Sequence, residues 1–151
     1  MLQLLIALQL LQVALLWTHD WVPLGPLNDV QAVRREESPV RLALVTLVQS
    51  LPFTVGLAAS VWMLADGRPA WLWRWLWISY GVLFFGELRA WWWPYLFGAE
   101  PQRAARYQRM FGATHAFLPE RGGIVPNTLH CVLHLATAAT LAALLLDHRP
   151  V

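Results

Sequence analysis

Lysine is absent from this 151-residue chain, cysteine occurs once, and charged residues make up only 13%. Soluble domains carry about 25% charge, so a chain that is 58% hydrophobic has too little polar surface for water. The lone thiol, Cys131, excludes an intramolecular disulfide and a CxxC redox pair, and its apolar surroundings make it a small packing residue. All 11 basic residues are arginines, and the net charge of +2 is spread along the chain instead of massed in one block. That distribution argues against nucleic acid as a partner. The N-terminus lacks the basic flank and small-residue cleavage site of a signal peptide, so its apolar run reads as a retained membrane helix. No repeat or low-complexity linker divides the chain, which reads as one transmembrane domain over 1–151.

What is present is apolar length. Runs able to cross about 30 Å of hydrocarbon lie at about 2–21, 42–65, 71–95 and 124–146. They predict an all-α integral membrane protein, a bundle of four transmembrane helices. The third run has tryptophans at both ends: Trp71, Trp73, Trp75 and Trp77, then Trp91, Trp92 and Trp93 with Tyr95. From Trp73 to Trp92 is roughly 28 Å of helix, the spacing of two interfacial aromatic belts. Seven arginines (34, 35, 41, 103, 106, 109 and 121) fall in the two long loops, against Arg68, Arg74 and Arg149 on the other side. This predicts cytoplasmic long loops and outside termini, in a bacterial plasma membrane. Residues 100–111 set Ala104, Tyr107 and Phe111 against Arg103, Arg106 and Arg109, as expected of a short amphipathic helix lying in the interface between spans 3 and 4. Its arginines either touch lipid phosphates or clamp an anionic substrate.

Sorting polar residues by depth gives the most informative pattern. Asn127, His130, His134 and Thr137 recur at helical spacing and share one face of span 4. Glu87 in span 3 falls between the two histidines in depth, and Gln12, Thr46 and Gln49 bring spans 1 and 2 to the same level. The outer half has only scattered Ser and Thr, so the expected site is a polar cup opening to the cytoplasm. Ionisable groups within a span indicate function by default, which selects Glu87, His130 and His134 as an acid/base set. Asn127, Gln12, Thr46, Gln49, Arg89, His115 and the arginines 103, 106 and 109 are candidate substrate contacts. Gln12, Thr46 and Gln49 also fit an interhelical hydrogen-bond network, and Arg89 can instead reach the headgroups. Gly56 and Ser60 form a small-xxx-small packing pair, and Asp20 and Asp29 suit caps or turns.

Histidines at i and i+4 can share a divalent metal, with Glu87 completing a His2Glu set. A haem would draw its facing ligand from His19 or His115. Three function classes follow. One is a membrane-embedded enzyme or ligand-binding protein for a lipid or lipid-soluble molecule. The second is a small proton-coupled transporter working as an oligomer, and the third an accessory subunit docked on another membrane protein. Lack of a polar outer half favours the first.

Overall fold

The computed structural model describes residues 1–146; Arg149, counted above, lies outside them. The described residues are helical, with no strand and a single isolated bridge between Arg121 and Ile124. The helices are α1 (Leu2–Thr18), α2 (Val30–Glu36), α3 (Pro39–Asp66), α4 (Ala70–Glu87), α5 (Trp93–Phe97), α6 (Pro101–Phe111) and α7 (Thr128–Leu146), with a π turn at Leu88–Trp92 between α4 and α5. Two of them, α3 and α7, are long and apolar enough to cross a membrane, and α1 is a shorter apolar helix.

Local chemistry sets the boundaries. Asp29 Oδ1 accepts from the Ala32 amide at 2.9 Å and starts α2, the capping role expected of it. Ser38 Oγ accepts from the Arg41 amide at 3.3 Å and Pro39 opens α3, which ends at Gly67 with φ +86°. The first helix ends at Thr18, so the span drawn to residue 21 is corrected: Trp21 bends away and donates its indole N–H to Thr46 Oγ1 at 3.0 Å.

Helix α1 packs between α3 and α7, and α7 packs between α1 and α4. Helices α3 and α4, joined by 67–69, approach closely where Tyr80 packs on Phe53 and Gly56, whereas Val48, Gln49, Pro52 and Gly86 are exposed and border an open cavity between them. At the end near Gly67, Leu5, Met63, Leu72, Leu76 and Leu144 make a fully apolar core.

The third apolar run is not one continuous α-helix. Pro94 has no N–H for the carbonyl four residues back, and its ring crowds that carbonyl. The helix widens into the π turn, and Arg103 donates to the freed Ala90 oxygen. The turn also reassigns the expected belt. Trp91 is buried in the protein and Trp92 half-buried, whereas Trp93 faces out.

Helix α6 is amphipathic as expected, and its apolar side packs against protein. Tyr107, Met110 and Phe111 pack on Val33 of α2, Leu42 of α3 and Trp91. The segment beyond it turns at Gly122, φ +62°, where a Cβ would come within 2.5 Å of the Pro94 oxygen. Only glycine allows this loop to close against α5.

Candidate functional site

Glu87, His130 and His134 line one cavity of about 250 Å³, with Leu16 and His19 at the end of α1 and Gln49 and Pro52 on α3. Helical periodicity brings the two histidines inward, and the π turn sets their surroundings. Trp91 lies over His130 with ring centroids 3.9 Å apart, and Trp92 donates its indole N–H to His134 Nδ1 at 3.1 Å. Glu87 Oε1 accepts from the Thr137 hydroxyl at 2.8 Å. Its Oε2 is buried and has no hydrogen-bond partner among the described residues.

The hydrogen bonds fix each imidazole. Asn127 Oδ1 accepts from the His130 amide at 3.0 Å and from His130 Nδ1 at 2.7 Å. Asn127 thus caps α7 and holds the His130 ring with Nε2 free; it is a positioning residue, not a substrate contact. His19 Nδ1 donates to the Leu15 carbonyl at 2.9 Å, and its Nε2 faces Asp20 Oδ1 at 3.4 Å. Because indole N–H only donates, His134 accepts at Nδ1 and its neutral ring carries the proton on Nε2.

That tautomer bears on the metal expectation. A ligating histidine usually presents one bare nitrogen to the metal and donates from the other to an acceptor. At His134 the second position faces a donor, Trp92. No group of three His, Cys, Asp or Glu side chains among the described residues is placed to hold a metal. His19 and His130 meet edge to face at 5.8 Å between ring centroids. His115 is exposed, bonds Thr128 Oγ1 at 2.7 Å and tethers the loop ahead of α7.

A second chamber of about 190 Å³ adjoins the first and shares His19, Gln49, Trp91 and His130 with it. Its outer wall holds Asp20, Glu37, Arg41 and Arg106. Glu37 pairs with Arg41 at 3.0 Å and with Arg106, so the expected anion clamp is corrected to a charge-balanced mouth. Arg103 is spent on Ala90 and Tyr107, and Arg109 forms a two-pronged pair with Glu36 at 2.6 and 3.0 Å. Arg89 is exposed on the opposite side of α4, over Trp93, and leaves the set of cavity contacts.

Gln12 and Thr46 are network members: Gln12 donates to Thr140 Oγ1 at 2.7 Å, and Thr46 receives Trp21. Gln49 alone of the three borders the cavity. Trp91 and Trp92 were taken for belt residues, and His19 and Asp20 were read separately although both line the second chamber. Gln9 and Tyr80 extend the polar interior past Glu87, so the outer half is less apolar than expected. The i, i+3 spacing of Gln9 and Gln12 was the available signal.

The Glu36–Arg109 pair joins α2 to α6 over the cavity mouth and gives a pH prediction. Hydrogen bonding from Arg109, aided by its charge, holds the Glu36 carboxyl below its ordinary value. Its stabilising effect is therefore full above the ordinary glutamate pKa of about 4.3 and is lost as pH falls through the lower folded value. Hydrogen exchange in α6, normalised to the intrinsic rate at each pH, should speed up on acidification over that range. In Glu36→Gln it should already be faster at neutral pH and show a smaller acid response. Identical acid responses in the two proteins would mean that other groups fasten α6.

No protein-family model, curated protein or solved structure matches this chain.

Proposed function

We propose that this is a four-span membrane protein, with α1, α3, α4–α5 and α7 as the spans, that binds a lipid or lipid-soluble molecule at Glu87, His130 and His134 and exchanges protons with it. The inverted distribution of polarity supports the membrane reading. Gln9, Gln12, Ser50, Ser60, Thr137 and Thr140 are 0% exposed, whereas Val48, Val82 and Phe85 are 66–70% exposed. Water would favour the reverse. The seven-to-three arginine split supports cytoplasmic loops and outside termini.

One observation carries the functional reading: Glu87, an ionisable side chain with one oxygen unpartnered among the described residues, lines a cavity at the α3/α4 seam. A carboxylate serving only to join helices would have both oxygens engaged. Val48, Gln49, Pro52 and Gly86 are exposed along that seam and also line the cavity, so an apolar guest can reach Glu87 sideways from the bilayer. Pro52 leaves the Val48 carbonyl, beside the opening, without its helical donor. In this arrangement Glu87 is the proton-exchanging group, His130 Nε2 an acceptor and His134 Nε2–H a donor. Whether the guest leaves chemically changed separates an enzyme from a binding protein.

Transport is the second reading. Gln12, Thr140, Gln9 and Tyr80 continue the polar interior beyond Glu87 and favour it. The apolar end layer of Leu5, Leu72, Leu76 and Leu144 weighs against it.

The test is native mass spectrometry, with organic extraction, of the full chain purified from membranes in mild detergent. Wild type should retain a small lipid-soluble guest, and Glu87→Gln should retain it at least ~10-fold less at unchanged helix content. Equal retention by a folded Glu87→Gln protein, or no specific guest in wild type, refutes the proposal.

A further inference from the structure

The face of α4 and α5 turned away from the cavity has a feature that the Glu87 site does not use. A groove of about 580 Å³ runs along it, lined by Phe85, Leu88, Trp92, Trp93 and Phe97 together with one charged residue, Arg89. Its apolar walls look outward, with Phe85 67% and Phe97 70% exposed.

We infer that this groove is a binding site for an anionic phospholipid, whose phosphate pairs with Arg89 and whose acyl chains lie along Phe85, Leu88 and Phe97.

Charge carries the argument. The arginines around the cavity mouth have carboxylate partners: Arg41 and Arg106 pair with Glu37, and Arg109 with Glu36. No carboxylate among the described residues pairs with Arg89, whose guanidinium lies 6.0 Å from the Trp93 ring centroid. An arginine on a lipid-facing helix must reach an anion or water at the edge of the hydrocarbon. Arg89 sits beside two tryptophans, the residue type that settles at headgroup level. Guanidinium matches phosphate oxygens in a two-pronged geometry. A zwitterionic lipid brings its own cation to that phosphate, whereas an anionic one leaves the full charge for Arg89.

The groove shares a wall with the cavity. Trp92 faces the groove and donates its indole N–H to His134. A seated lipid would brace that indole. The inference requires only that this face lies in a bilayer, not that Glu87 binds a guest.

The experiment uses the full chain reconstituted in vesicles of equimolar phosphatidylcholine and phosphatidylglycerol, released into mild detergent and analysed by native mass spectrometry. Wild type should retain phosphatidylglycerol over phosphatidylcholine by ~10-fold, the ratio expected for one charge-assisted contact. Arg89→Gln should bring the ratio close to one, and Arg89→Lys should keep part of it by preserving the charge. Equal retention of both lipids by wild type overturns the inference, as does an unaltered ratio in Arg89→Gln. Loss of the preference in millimolar inorganic phosphate would also overturn it, because the groove would then take free phosphate and not lipid. Should Arg89→Gln fail to fold, Arg89→Lys and Trp93→Leu supply the comparison, and an unchanged ratio in both refutes it.

Discussion

Deletion of Ala90 should empty the cavity of its guest while leaving the helix that carries it intact. The deletion removes one residue from the π turn at Leu88–Trp92 and returns the chain to α-helical register. One residue corresponds to roughly 100° of rotation about the helix axis. Trp91 and Trp92 therefore cannot remain on His130 and His134 while Glu87 still faces the cavity. Either the indoles turn outward or the carboxyl does. Regained α-type hydrogen bonds offset lost packing, so helix content by circular dichroism should be unchanged. Guest retention should fall at least ~10-fold, since the hydrogen-bonding set is taken apart. Unchanged retention would mean that the π turn has no part in the site.

The second large effect is expected at Glu87 itself, and its sign separates function from structure. Leucine in its place removes a buried carboxyl with one unsatisfied oxygen, a group that costs about 1–3 kcal/mol to bury. Thr137 is not stranded, because its hydroxyl also reaches the Leu133 carbonyl at 3.1 Å. Glu87→Leu should therefore unfold later on heating in detergent, by about 1 kcal/mol of added stability, and retain no guest. A stability gained by deleting a residue marks that residue as kept for another purpose. If Glu87→Leu instead loses about 2 kcal/mol or more, the carboxyl is a structural tie and the acid/base reading fails.

Much of this arrangement could be read along the chain, and what could not has identifiable physical causes. Rise per residue puts Glu87 level with the two histidines, and all three border one cavity. Spacing of three and four puts Asn127 on the His130 face, although it could not show that the amide is spent on the imidazole. The π turn was hidden because its cause, the missing N–H of Pro94, acts on a carbonyl four residues earlier within a run of tryptophans. Tryptophan in a belt and tryptophan over a histidine look alike in composition. The arginine clamp failed for a different reason: Glu36 lies 73 positions from Arg109 in sequence, and only the packing of α2 on α6 brings them together. Of the four proposed spans, α3 and α7 stand on length and apolar content, whereas α4 is tryptophan-rich and interrupted and α1 is short.

The mouth of the second chamber has a kinetic consequence. Around it the positive charges of Arg41 and Arg106 stand against the carboxyls of Glu37 and Asp20, within a few side-chain lengths of one another. Opposite charges that close cancel beyond about a Debye length, roughly 8 Å at physiological salt. An approaching molecule meets little field, so its arrival is not electrostatically steered, as it is at clefts lined by one sign of charge. Guests should therefore load at a rate set by partitioning into the bilayer and nearly indifferent to ionic strength.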